Sequence, residues 1–433
     1  MNNTATHSAL FSSHIVVALT IIVIWVMYMV LLAEQKYSFG TFLAYVFLAL
    51  VLLLSSLTLV LCHSIVVAYV AIELASLVSI IMIAFGVSNK SQAYMLEGVV
   101  KYVCVTFFGT LFMLYGVYGT LSSGSHFNAL ETELFIAMGF SIKLGVVPFH
   151  GWVTSFNEAN EWHNLMLVGT LPKMGIMSFM AMNYTGNVSL FYLTVGCASL
   201  SVGSVLMLNA VNFKSFNAYS AIANYGIIMI IMSCMNSHVY GTMPVWLTLM
   251  LLTYNFTFAT VALVCSFCES RLGLSNIWAS ASLKHMKFNS YESLVLTTCL
   301  LSLSSMPPMW VWYAKVVGIT CLATAGHWPL VIFILGFSIV SGYSYLRLVA
   351  FLWGGYKGRN PLVRVKLVRI VRFKVKVSLR HANAWSMQYP VIGISCLVAL
   401  NVMIITLLML AHNPEMSPEA FTACAEQANL SVS

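Results

Sequence analysis

Apolar stretches long enough to cross a lipid bilayer follow one another along almost the whole chain, and that succession leaves few folds open. A transmembrane helix needs about 20 apolar residues, and roughly twelve spans of this kind can be drawn. They lie at 12–33, 40–62, 64–87, 95–121, 133–150, 163–183, 187–210, 214–235, 242–268, 292–322, 327–353 and 389–411. Only 7% of the 433 residues are charged and 60% are hydrophobic, with a mean hydropathy of +0.90, which excludes a soluble globular domain. A bilayer core offers no water to backbone polar groups, so the expected fold is an all-α polytopic membrane protein.

Loop charges test this count, because Lys and Arg collect in the connections on one side of a membrane. Lys36, Lys90, Lys214, Arg271, Lys284, Lys287 and the run from Lys357 to Arg380 all fall after spans 1, 3, 7, 9 and 11. The opposite connections hold no Lys or Arg. An even number of spans with both termini on the less basic face follows. The Lys357–Arg380 run contains nine Lys/Arg and no acid, and it dominates the net charge of +8. From Arg372 to Arg380 its basic and apolar residues mostly alternate, the period of a strand. It reads as a loop resting on anionic lipid or an acidic neighbouring subunit. No aromatic stacking platform accompanies the charge, so nucleic acid is not an expected partner. The ten cysteines follow neither a CxxC nor a Cys/His ligand spacing, and no metal, redox centre or cofactor is expected in this chain.

Five ionisable residues fall within the spans and away from their ends, or in a span broken by proline: Glu73, Lys101, Lys143, Lys173 and Lys315. A charge near a bilayer centre costs roughly 2.5–3.5 kcal/mol, so such residues mark functional positions. A buried lysine loses proton affinity and a nearby carboxylate restores it, which makes a Glu–Lys pair that forms and breaks a proton switch. Glu73 is the evident carboxylate, with Lys101 as its expected partner. His150 suits either a structural hydrogen bond or a proton relay. Arg347, near the basic-side end of its span, snorkels to the interface.

Proline adds a second constraint. Pro148 follows Lys143, and Pro307 with Pro308 precedes Lys315. Broken helices free backbone groups that are tolerated only where they line protein or a water-filled cavity. Spans 2–6 and 7–11 make two five-span units with a proline break in the fourth span of each. Five is odd, so the units would be inverted. The expected organisation is an N-terminal helix and loop (1–39), a first five-helix repeat (40–184), a second inverted repeat (185–353), a basic loop (354–388), and a final helix with a polar tail (389–433).

Several stretches resemble the antiporter-like membrane subunits of respiratory complex I. IKLGVVPFHGW is similar to the family's FKLG-PFH-W signature, and LPKMG, thirty residues on, resembles its second-lysine motif. AIELASL resembles the glutamate-bearing helix, KYVCVTFFGTLFMLYG the helix after it, FNAYSAIANYG the AYSSI-H-G segment, and SMPPMWVWYAK the IPP-GF-K element. The matches keep the family's order and cover most of residues 64–353. The chain departs from the pattern in two places. TSFNEANEWHN lacks the proline of the usual connection, and the usual histidine of the AYSSI segment is replaced near Asn224 and Tyr225. Only two helices precede Glu73, against four in the bacterial form.

The resemblance implies roles: Glu73 couples toward a carboxylate-rich small subunit, Lys101 is its switching partner, Lys143 is the helix-break lysine, Lys173 the central relay and Lys315 the terminal lysine. Subunit 4 of the family typically has Glu at that last position, and subunit 5 adds a long lateral helix. The implied function is proton translocation driven by NADH-to-ubiquinone electron transfer in other subunits. Expected partners are the other membrane-arm subunits, including the next antiporter-like one. The N-terminal MNNTATHSALFSS has neither a signal peptide's basic start nor an import presequence's Arg-rich pattern. With the resemblance, the expectation is an organelle-made protein of the mitochondrial inner membrane, basic loops in the matrix, with a bacterial inner membrane as the alternative. A cation/proton antiporter subunit of the same fold, or a scaffold that no longer pumps, are the competing readings.

Overall fold

The computed structural model describes residues 2–34, 37–85, 92–121, 128–184, 186–210, 212–234, 243–272, 290–307 and 309–353. The final span, the basic run from Lys357 to Arg380, and Lys36, Lys90, Lys284, Lys287 and Pro308 lie outside them. Among the described residues there are fourteen helices: α1 (Asn2–Glu34), α2 (Phe39–Leu61), α3 (Ile65–Phe85), α4 (Gln92–Leu121), α5 (Ala129–Leu144), α6 (Gly151–Ala159), α7 (Trp162–Val168), α8 (Leu171–Met182), α9 (Ser189–Asn209), α10 (Phe213–Ser233), α11 (Met243–Leu272), α12 (Ser290–Leu303), α13 (Trp310–Thr324) and α14 (Trp328–Trp353).

Nine spans in the described residues are long and apolar enough to cross a membrane, counting α7 with α8 as one. The fifth and tenth expected spans are absent from the nine because the fifth holds only the short helix α5 before its break, and the tenth is the pair α12–α13. The two breaks use the same device. Gly145 ends α5 in the left-handed conformation (φ +73°), and the Val146 N–H reaches back to the Ser141 carbonyl at 3.2 Å. Ser305 ends α12 with φ +59°, and the Met306 N–H reaches back to Leu301 at 3.3 Å. That six-to-one bond satisfies carbonyls left over at a helix end. Pro148 and Pro307 then stop the chain from resuming the same helix.

The sequence reading ran the fifth span to residue 150 and made 151–162 a connection. The helix instead ends at Leu144, and residues 151–159 form α6. Its apolar side chains Trp152, Val153 and Phe156 repeat on one face and are buried.

Contacts between span ends sort the connections onto two sides. Tyr37 meets His163 (3.0 Å), Glu158 accepts from Asn212 (2.9 Å), Lys214 donates to the Asn160 carbonyl (2.5 Å), and Glu269 accepts from the Trp162 N–H (3.2 Å). These residues end spans 1, 5, 7 and 9 or begin the spans that follow. At the other end, Asn187 donates to Glu133 (3.0 Å) and the Tyr184 hydroxyl to the Ser233 carbonyl (3.4 Å), joining the ends of spans 4, 6 and 8. Each contact keeps the alternation that the loop charges require.

Burial separates a centre from a shell. In the most apolar window of α10, 94% of residues are buried, and 83% in that of α11, against 44% in α2, so α10 and α11 form the middle. Glycine lets α9 reach this middle closely. A Cβ on Gly226 would lie 2.8 Å from the Leu200 amide, so the two backbones touch. Such small-residue contacts replace the hydrophobic drive that lipid removes.

Candidate functional site

α3 positions the carboxylate. Glu73, Ser76 and Ser79 recur every three residues and therefore share one face. The Ser76 hydroxyl donates to the Glu73 carbonyl (2.8 Å), the Ser79 hydroxyl to the Ser76 carbonyl (2.7 Å), and the Ser79 hydroxyl also to Tyr102 of α4 (3.1 Å). The Glu73 side chain is 29% exposed, on an outer helix face with Val70, Leu74 and Leu77.

Lys143 comes from the last turn of α5, where a cation complements the helix C-terminus. Its Nζ lies 3.2 Å from Glu73 Oε1, with only 4% of the side chain exposed. The contact is a largely buried ion pair. The backbone beneath it is secured because Trp152 of α6 donates its indole N–H to the Ile142 carbonyl at 3.2 Å. Lys101 is not the partner of Glu73. It pairs with Glu97 one turn earlier on α4, at 2.5 Å, with both side chains about half exposed. The expected Lys101 is thus replaced by Lys143, which the break after α5 brings in from farther along the chain.

Lys173 sits in the first turn of α8, just after a break the sequence reading missed. The Thr170 hydroxyl, rather than its N–H, takes the Met166 carbonyl (2.6 Å), while the Thr170 N–H moves to Leu167 (3.2 Å). Pro172 has no N–H for Val168. The span 162–182 is therefore α7 and α8 rather than one helix. Lys173 is 9% exposed, and its Nζ lies 5.5 Å from the ring centre of Tyr225 on α10, a cation–π arrangement. The Tyr225 hydroxyl in turn donates to Asn255 of α11 (3.1 Å).

One cavity joins these parts. Lys143 and Lys173 both line it, with Ser76, Ser79, Tyr102 and Asn157 as the other polar walls. It leaves ≈ 40 Å³ open to the centres of water molecules. A polar-lined space of that size has room for water. Lys315 on α13 is buried but does not line this cavity. Trp246 of α11 donates its indole N–H to the Ala314 carbonyl at 2.5 Å, pinning α13 beside that lysine. His150 lies between Lys143 and α6, and its carbonyl accepts the Val153 N–H at 3.0 Å. Among the described residues, no group of three His, Cys, Asp or Glu side chains could hold a metal ion.

Residues 62–341 match the family described as NADH:quinone oxidoreductase/Mrp antiporter, TM. The chain belongs to this family. The match contains every candidate residue from Glu73 to Lys315. Among curated members, NADH-quinone oxidoreductase subunit N of Hydrogenovibrio crunogenus is 25% identical over 344 residues, covering 73% of this chain and 69% of that protein. Subunit N of Nitrosomonas europaea is 24% identical over 332 residues, covering 71% and 67%. Both relatives are bacterial. Among solved structures, a chain of respiratory complex I from Thermus thermophilus with bound aureothin superposes with a TM-score of 0.65 at 19% identity, covering 85% of this chain and 84% of that one. A chain of the Mrp complex from Dietzia sp. DQ12-45-1b gives 0.67 at 17% identity, covering 81% and 67%. These structural likenesses concern the antiporter-like family's fold.

Sequence reasoning missed Ser76, Ser79, Tyr102 and Tyr225. The three-residue spacing from Glu73 was the available signal for the serines. For Tyr225 the signal was its place where the family usually has a histidine.

Proposed function

We propose that the chain is a proton-translocating membrane-arm subunit of respiratory complex I, without a cofactor of its own. The observation that carries this is the Glu73–Lys143 ion pair opening onto a cavity that Lys143 shares with Lys173. While paired with Glu73, Lys143 holds its proton. When a neighbouring carboxyl group repels Glu73 in its ionised form or protonates it in its acid form, Lys143 loses its counter-charge in a buried site and gives the proton up toward Lys173. Lys315 is the terminal station, His150 a second relay group beside Lys143, and Lys101 stands outside the relay. Electron transfer in other subunits supplies the drive.

The finer assignment is subunit 2 of mitochondrial complex I, in the inner membrane with its basic loops in the matrix. Lys315, where subunit 4 typically has Glu, favours it. The matching breaks after Lys143 and before Lys315 support two inverted units over 40–184 and 185–353. Glu73 is paired with Lys143 but 29% exposed among apolar residues, which fits a carboxylate-bearing protein neighbour better than lipid on its open side.

The test is the intact assembly in sealed vesicles. Glu73→Gln, Lys143→Met and Lys173→Met should each lower the protons moved per electron pair while uncoupled quinone reduction continues. An unchanged ratio in all three leaves the scaffold reading. Purification without flavin and iron–sulfur partners would indicate an antiporter complex instead.

A further inference from the structure

At the basic-side end of α7, 2% exposed His163 is held at both ring nitrogens. Nδ1 lies 3.4 Å from Glu161 Oε2 and Nε2 3.0 Å from the Tyr37 hydroxyl. Tyr28 of α1 and Tyr45 of α2 pack their rings against it, with centroids 6.4 and 5.7 Å away. Two more charged groups flank this corner through Trp162. Glu269 of α11 accepts its backbone N–H, and Lys214 of α10 lies 5.5 Å over its indole. Asn164, the next residue, is fully buried, accepts from the Tyr28 hydroxyl (3.3 Å) and donates to the Met82 carbonyl (3.2 Å).

The ring is buried while its two polar contacts reach outward: the Glu161 side chain is 21% exposed, and Tyr37 is only half-buried. α7 carries the chain from His163 to its C-cap Gly169, which lines the Lys143–Lys173 cavity. Six residues of helix span about 9 Å. We propose that His163, with Glu161 and Tyr37, is a proton-loading site on the basic face that supplies the cavity at Lys173. This rests on the pumping reading above.

The chemistry balances without another reactant. A proton from the aqueous side adds to the neutral ring, and the imidazolium then donates from Nδ1 to the Glu161 carboxylate and from Nε2 to the Tyr37 oxygen. The ring returns to neutral when it gives up one proton inward, and Lys173 gains the positive charge that His163 loses. A neutral ring carries one N–H, so one of the two contacts must reverse its donor at each cycle. Nothing in the sequence marked His163 beyond its place in the proline-free TSFNEANEWHN connection.

The experiment uses the whole assembly in sealed vesicles, with proton uptake measured as the basic-side pH is raised from about 5.5 to 8.5, across the imidazole range. The native protein should show a one-proton limb, falling about tenfold per pH unit above the imidazole range. His163→Gln should flatten it to less than about a twofold change across the imidazole range. Glu161→Gln should move the limb to lower pH, because the imidazolium loses the carboxylate that favours it. A native limb in His163→Gln overturns the proposal. Where that variant fails to assemble, an unmoved limb in Glu161→Gln overturns it. Glu73→Gln is measured alongside: if it leaves pumping intact, the pumping reading fails, whatever the limb does.

Discussion

Lys143 Nζ stands 3.2 Å from Glu73 Oε1 across the gap between α5 and α3, and the two residues are seventy apart in sequence. The pair is nearly buried on the lysine side and partly open on the glutamate side, so an event outside the subunit reaches the lysine through the glutamate. Variants at the two positions should therefore not be independent. Glu73→Gln and Lys143→Met should each reduce proton translocation, and the double variant should be no worse than the poorer single one. Additive losses in a double-mutant cycle would show that the pair does not act as a unit.

Lys101→Met should behave differently. Its pairing with Glu97 is a surface contact between turns of one helix, worth at most about 1 kcal/mol. Assembly and proton stoichiometry should match the native protein within error, measured on native gels and in vesicles. A loss as large as that of Lys143→Met would return Lys101 to the relay.

Tyr225 offers a test of how Lys173 is held. A desolvated cation–π contact contributes about 2 kcal/mol and needs the ring but not the hydroxyl. Tyr225→Phe should keep most of the pumping rate, and Tyr225→Leu should lower it several-fold. Equal losses would point to the hydroxyl's bond to Asn255 instead.

Gly145→Ala should impair assembly. A Cβ there would sit 2.1 Å from Val153 Cγ2, and the backbone is left-handed at φ +73°. Left-handed backbone costs a non-glycine residue about 1–2 kcal/mol before the clash is counted. The readout is the amount of intact assembly in membranes, with Gly151→Ala as the control, since its Cβ would meet nothing within 4 Å.

Legibility in the sequence followed the physics of each feature. Most of the described spans could be read because about twenty apolar residues have few other uses, and the breaks near Lys143 and Lys315 because proline announces them. The break before Lys173 was marked only by Pro172 inside an otherwise continuous span, and the Thr170 hydroxyl that replaces a backbone bond there leaves no signal in composition. The pairing of Lys143 rather than Lys101 with Glu73 was hidden for another reason: helix adjacency in sequence does not fix adjacency across a bundle. His163 was hidden because both its contacts come from other parts of the chain or depend on a corner that only the fold creates.

The corner at Trp162 and His163 also bears on how the protein is made. One of its partners, Tyr37, leaves the ribosome 126 residues before His163, while another, Glu269, follows Trp162 by 107 residues. The first half can thus dock its own N-terminal segment onto α7, yet it closes the corner only once α11 has been synthesised. A chain interrupted between these points would leave the Trp162 N–H without its Glu269 acceptor.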